Sequence, residues 1–92
     1  MKKKLNYNIT VRGRVQGVGY RAFAYKIAKG MGLNGFVKNR PDGTVQIEVE
    51  GNKEVLDKFV ILCKNGPGWA FVEKINLYES PIQEYQDFKI KY

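Results

Sequence analysis

The sequence contains no histidine and only one cysteine, and these two shortages exclude several kinds of enzyme. Without an imidazole, the usual serine and cysteine triads and most zinc sites cannot be assembled. Cys63 has no partner for an internal disulfide, and it follows the apolar run at 59–62. We therefore expect a buried core thiol here rather than a nucleophile.

Long apolar runs are missing too. Nothing approaches the ~20 consecutive apolar residues that cross a bilayer, and the basic start Met1-Lys2-Lys3-Lys4 is not followed by the apolar segment of a signal peptide. We therefore expect a cytoplasmic protein without a membrane partner. With 92 residues, of which 43% are hydrophobic and 27% charged, the composition is typical of one folded domain spanning residues 1–92.

Acidic residues are absent from the first 41 positions, where ten lysines and arginines lie. The net charge of +7 is therefore concentrated in the N-terminal half, which suits an anionic ligand. Lys2, Lys3, Lys4, Lys26 and Lys29 are interpreted as solvated. This interpretation is not extended to Arg12, Arg14 and Arg21, because these arginines flank a cluster of three glycines.

Hydrophobic periodicity predicts two helices, at 20–31 and 53–64, and five strands, at 5–13, 34–39, 44–50, 69–78 and 86–91. In the first helix Phe23, Ile27 and Met31 recur at a spacing of four, with alanines at 22, 24 and 28. In the second helix the apolar stripe is predicted at Val55, Leu56, Phe59, Val60 and Cys63. The apolar phase slips within the fourth strand, which predicts a bulge near Glu73-Lys74. This β-α-β-β-α-β order, plus a short terminal strand, predicts an α+β, ferredoxin-like split βαβ fold, with both helices on one face of an antiparallel sheet.

In a split βαβ arrangement the first two strands are parallel, with another strand between them. Their C-terminal ends, near Gly13 and Asn39, should then lie at one edge of the sheet, about 10 Å apart. A long arginine leaving the intervening loop can span that gap. On the third strand, Glu48 and Glu50 are expected to solvate the outer face rather than to bind a metal.

The glycine-rich segment at 13–21 joins the first strand to the first helix. Glycines there can turn successive N–H groups inward and so form an anion-binding nest. The following helix adds free N–H groups and the positive end of its dipole. Arg21 would supply a planar fork that matches two phosphate oxygens. Taken alone, this glycine and arginine pattern is only moderately specific for a phosphate site, because a tight turn with solvated arginines would have a similar sequence.

Two segments resemble the paired signatures of the acylphosphatase family. The first comprises Gly13, Val15-Gln16-Gly17-Val18, Tyr20 and Arg21. The second comprises Gly35, Phe36, Val37, Lys38 and Asn39, followed by Gly43, Val45 and Gly51. Together with Gly66-Pro67, Ala70, Val72 and Phe88-Lys89-Ile90, the resemblance covers nearly the whole chain. Tyr20 stands where the family more often has phenylalanine.

The resemblance implies an enzyme that hydrolyses acyl phosphates to a carboxylate and inorganic phosphate, with no cofactor and no metal. It implies that Arg21 binds the phosphoryl group and that Asn39 positions the attacking water. The backbone of the loop is implied to bind phosphate, through Arg14, Val15, Gln16, Gly17, Val18, Gly19 and Tyr20. The expected partners are a small-molecule acyl phosphate and, as a competitive ligand, inorganic phosphate. We expect a monomer.

Two alternatives stay open. The same topology hosts RNA-binding modules, and the basic N-terminal half suits a phosphate backbone. Such modules need stacking aromatics on the open sheet face, where residues 44–50 present Thr44, Gln46, Glu48 and Glu50, so we expect no nucleic-acid partner. The second alternative is a non-catalytic domain like those of larger carbamoyl-transferring maturation proteins; the end of the chain at Tyr92 favours the free-standing enzyme.

Overall fold

A computed structural model describes residues 3–92; Met1 and Lys2, part of the basic start, lie outside the described residues. Within 3–92 the elements are β1 (Lys4–Arg14), α1 (Tyr20–Gly30), β2 (Asn34–Asn39), β3 (Val45–Asn52), α2 (Lys53–Asn65), β4 (Phe71–Ser80) and β5 (Phe88–Lys91). Every predicted element is present, and no end moves by more than two residues. The α+β, ferredoxin-like prediction is confirmed.

The five strands form one sheet in the order β4-β1-β3-β2-β5. β1 pairs antiparallel with β3 and β4, and β2 pairs antiparallel with β3. β1 and β2 are therefore parallel with β3 between them, as predicted. β5 adds to the outer side of β2 in the parallel direction, a neighbour that the sequence did not indicate. Since β1 and β2 end at the same edge, the loop after β1 and the end of β2 come together there.

The predicted bulge lies in β4, opposite the end of β1. Arg12 pairs with Lys74 while Gly13 pairs with Val72, so Glu73 is the extra residue. Gly13 has φ 135°, and a Cβ at this position would lie 2.1 Å from the carbonyl oxygen of Phe71. Only glycine allows β1 to lie this close to β4 just before the chain enters the loop.

The helices pack on one face of the sheet, each through a narrow stripe. In α2, Leu56, Phe59 and Cys63 of the predicted stripe are buried, and Val55 and Val60 pack partly buried against the core. Burial raises the pKa of Cys63 to about 12, which fits the expected core thiol. In α1, Tyr20, Ala24 and Ala28 face the core, and Phe23, Ile27 and Met31 pack partly buried against it. Small alanine side chains let the helix lie close to the sheet, and the larger residues then fill its margins.

The opposite face of the sheet overturns the prediction that Glu50 is solvated. Glu50 is only 1% exposed, because the segment at 81–87 lies over it. Its carboxylate accepts a hydrogen bond from the Asn6 amide at 2.8 Å and others from the backbone N–H groups of Gln83 and Tyr85. Glu48 accepts the Tyr85 hydroxyl at 2.8 Å. The two carboxylates therefore fasten the segment that leads into β5.

Glu50→Gln is expected to destabilise the fold by about 1–3 kcal/mol, because an amide NH₂ would then face N–H donors that now point at a carboxylate. Burial alone would raise the pKa of Glu50, but the hydrogen bonds from Asn6, Gln83 and Tyr85 outweigh it and hold the pKa below its ordinary value. The stabilisation is therefore fully present above the unfolded pKa of about 4.3 and is lost as the pH falls through the lower folded pKa.

Urea denaturation of Glu50→Gln and wild type from pH 7 down to pH 3 measures this difference. The gap in unfolding free energy should be widest near neutrality and should narrow in acid. Glu73→Gln, which removes an exposed carboxylate on β4, is the control and should leave stability nearly unchanged. A gap that did not change with pH would show that the charge of Glu50 is not what holds the segment.

Candidate active site

The segment at 13–19, which comprises the end of β1 and the loop that leads into α1, is called the glycine loop here. Gly17 and Gly19 have φ 74° and 80°, in the left-handed region that other residues rarely adopt. Gly19 is the N-cap of α1 and offers no side-chain cap, and the first helical turn contains no acidic residue. The free N–H groups at the start of a helix are thus left to an external acceptor. This end of α1 is suited to an anion.

Arg21 lies in the first turn of α1, and the end of β5 holds its side chain. Its Nη1 donates a hydrogen bond to the carbonyl oxygen of Lys91 at 3.2 Å. The guanidinium carbon lies 4.8 Å from the centre of the Tyr92 ring, a cation–π contact. Because a guanidinium has five N–H donors, the bond to Lys91 leaves a fork available for a ligand.

Asn39 is the last residue of β2 and lies next to the end of β5, since Lys38 pairs with Lys91. Its Oδ1 atom is buried and accepts no hydrogen bond from any residue in 3–92. A buried carbonyl oxygen without a partner costs about 1–3 kcal/mol. Such a cost is common where a ligand or a reacting water completes the site.

A cavity of about 150 Å³ brings these parts together at the edge where β1 and β2 end; its lining residues are Val15, Gly17, Gly19, Tyr20, Arg21, Ala22, Asn39, Ile90 and Tyr92. Arg21 is the charged residue of this lining. The cavity therefore combines one cation, a loop with left-handed glycines, a helix N-terminus and the side of Asn39.

The other predicted loop residues have different surroundings. Arg14 is exposed, Val18 is packed partly against the core, and neither lines the cavity. The Gln16 side chain turns to the β2–β3 connection, where its Nε2 donates to the carbonyl oxygens of Arg40 and Thr44. The buried Tyr20 hydroxyl donates to the carbonyl oxygen of Cys63 at 2.7 Å and so links α1 to α2. Backbone contacts from these residues to phosphate stay a prediction.

Sequence reasoning missed the contribution of β5. Ile90 and Tyr92 line the cavity, and the Lys91 carbonyl oxygen accepts from Arg21. The terminal strand was predicted, but a run of four residues does not show which strand it joins. Its parallel pairing with β2 is what brings Tyr92 level with Asn39.

Neither a metal centre nor a membrane-spanning helix is found in the part of the chain that the structure describes. No group of three or more His, Cys, Asp or Glu side chains within 3–92 is arranged to hold an ion. The helices of the same region are too short and too polar to cross a bilayer.

The model of the family described as Acylphosphatase matches residues 7–90. The chain belongs to the acylphosphatase family. An acylphosphatase from Archaeoglobus fulgidus is 42% identical over 84 residues, which are 91% of this chain and 94% of the relative. One from Ligilactobacillus salivarius is 45% identical over 89 residues, which are 95% of this chain and 98% of the relative. The family resemblance inferred from the two signatures is confirmed, and hydrolysis of acyl phosphates follows as the activity of this acylphosphatase.

Solved structures agree with this assignment. The acylphosphatase of Bacillus subtilis superimposes with a TM-score of 0.93 at 44% identity, covering 96% of this chain and 99% of that one. Full-length HypF, in a phosphate- and nucleotide-bound form, contains a similar region with a TM-score of 0.89 and 32% identity, which covers all of this chain but only 12% of HypF. The acylphosphatase fold thus occurs both as a chain of this size and inside a much longer protein.

Proposed function

We propose that this acylphosphatase works by direct attack of water on phosphorus, with the phosphoryl group held by Arg21 and by backbone N–H groups of the glycine loop. The observation that carries the proposal is the cavity that Arg21, Gly17, Gly19 and Asn39 line together. Phosphoryl transfer depends mainly on positioning and on stabilising charge spread over three equatorial oxygens. A guanidinium fork and a set of N–H donors can address those oxygens from one side.

Asn39 is the residue proposed to position the water. Asn39 lines the cavity, and a turn of its side chain would present Oδ1, which lacks a partner within 3–92, as an acceptor for one water O–H group. A water bonded there would remove the cost of the unpaired oxygen and would be held next to the phosphoryl group. An amide orients water but does not deprotonate it, so the base is proposed to be the phosphate of the substrate itself.

The leaving group explains why so few functional groups are needed. A carboxylate is weakly basic and departs without protonation, so no general acid is required. We further propose that the protein acts as a cytoplasmic monomer, without nucleic-acid or membrane partners. No observation favours the RNA-binding alternative.

Hydrolysis of benzoyl phosphate in ¹⁸O-labelled water tests this mechanism. The expected result is steady turnover, unaffected by a chelator and competitively inhibited by inorganic phosphate, with the label in the phosphate product. Glycerol phosphate, whose alkoxide leaving group needs protonation, is the control and should not be hydrolysed.

Two results would contradict the proposal in different ways. Label appearing in benzoate would mean that water attacks the carbonyl carbon, so the phosphoryl-centred mechanism would be wrong. Loss of activity with the chelator would mean that a metal takes part in the reaction.

A further inference from the structure

The side chain of Gln16 forms a bridge from the glycine loop to the connection between β2 and β3. Its Nε2 lies 2.7 Å from the carbonyl oxygen of Arg40 and 2.8 Å from that of Thr44. Both N–H groups of one amide are therefore used on two carbonyls. Arg40 directly follows Asn39, so the bridge joins the glycine loop to the backbone next to that asparagine.

The connection that Gln16 binds is itself well defined. The Arg40 N–H donates to the Thr44 carbonyl at 2.8 Å, and the Gly43 N–H donates to the Arg40 carbonyl at 3.1 Å. Asp42 accepts from both the N–H and the hydroxyl of Thr44. The turn is thus closed by its own hydrogen bonds, and the bridge sets where this rigid unit lies relative to the glycine loop.

We propose that Gln16 is a positioning residue, which sets the distance between the phosphoryl group and the water. The inference rests on the proposed function, in which the glycine loop and Arg21 hold phosphate while Asn39 holds water. Those two groups belong to different elements, α1 with its loop and β2 with its turn. Among residues 3–92, Gln16 is the side chain whose hydrogen bonds connect the two.

Glutamine is suited to this role by its donors and its neutrality. Two carbonyl oxygens require two N–H groups at one atom, which a primary amide supplies. A glutamate of the same length would place its carboxylate oxygens against the two carbonyl oxygens, with no N–H group to donate. Methionine would fill similar space with no donor at all. The residue type therefore follows from the carbonyls that it meets.

A double-mutant cycle with Asn39 tests the proposal, using kcat for benzoyl phosphate and the inhibition constant of inorganic phosphate. Gln16→Met should lower kcat about 10- to 100-fold, the size expected from losing two hydrogen bonds. The phosphate inhibition constant should change less than about threefold, because Arg21 and the loop remain. In an Asn39→Ala background, Gln16→Met should have almost no further effect on kcat.

Gln46→Met is the matched control, since it removes another half-buried glutamine amide, which donates to Asn8 on the far face of the sheet. It should leave kcat unchanged. If Gln16→Met lowers kcat equally with and without Asn39, the positioning role is wrong although the proposed function stands. If Asn39→Ala itself keeps full kcat, the proposed role of Asn39 is what fails.

Gln16→Glu gives a second test that does not depend on how Gln16→Met folds. At neutral pH its carboxylate repels the two carbonyls, whereas a protonated carboxyl can donate one hydrogen bond. Its kcat relative to wild type should therefore rise as the pH is lowered from 7 to 5, and Gln46→Glu should show no such rise. A constant ratio across this range would overturn the proposal.

Discussion

Arg21→Lys is expected to lower kcat/KM for benzoyl phosphate by at least about a hundredfold, although the positive charge is kept. A guanidinium donates two parallel hydrogen bonds in a fixed plane, whereas an ammonium is a point charge without that geometry. Lysine would also lose the bond to the Lys91 carbonyl and the stacking on Tyr92. Arg21→Ala should abolish both turnover and the affinity for inorganic phosphate.

Steady-state kinetics and competitive inhibition by phosphate measure both effects. Arg12→Lys, an exposed arginine on β1, is the matched control and should behave as wild type. Near-normal hydrolysis by Arg21→Lys would mean that charge alone suffices and that the fork is not used. Circular dichroism should show unchanged secondary structure, because the Arg21 side chain lies outside the core.

Asn39→Ala is expected to lower kcat by about 10²- to 10³-fold while changing the phosphate inhibition constant only slightly. The reason is that, in the proposed mechanism, phosphate is bound from the side of α1 and water from the end of β2. Asn39→Asp should differ from the alanine variant, because a carboxylate would repel the phosphate dianion. It should weaken phosphate binding as well as slow turnover.

The comparison of kcat with the phosphate inhibition constant is the decisive measurement here. Asn76→Ala, an exposed asparagine on β4, is the control and should change neither quantity. If Asn39→Ala lost kcat, phosphate binding and thermal stability together, Asn39 would be a structural residue of the β2 end and another group would have to hold the water.

The fold could be read from the sequence because its signals are local. Alternation in β1 and β3, the turn at 40–43 and the glycines at 13–19 each specify structure within a few residues. The slip in the apolar alternation of β4 likewise predicts the bulge in that strand. These signals also placed Arg21 and Asn39 at one edge of the sheet, because a split βαβ topology leaves few alternatives for the ends of β1 and β2.

The remaining features depend on contacts between distant segments. The alternation of apolar and polar residues in β3 predicted which face of the sheet Glu50 occupies, but not which segment covers that face. The segment at 81–87 has no hydrophobic periodicity from which its position could be predicted. The pairing of β5 with β2 depends on contacts with the edge of the sheet. The same pairing places Tyr92 beside the cavity. For Gln16 the sequence indicated the loop correctly, but the partners of its side chain lie on another hairpin.

The two outer strands of the sheet differ in how they discourage pairing with another molecule. β5 has only four residues, two of them lysines, and offers little for a foreign strand to join. β4 has ten residues and exposes Phe71, Leu77 and Tyr78. The irregular spacing at Glu73 and interspersed charges such as Lys74 and Glu79 are features that disfavour pairing of an edge strand with another molecule. We therefore expect the bulge opposite Gly13 also to disfavour self-association.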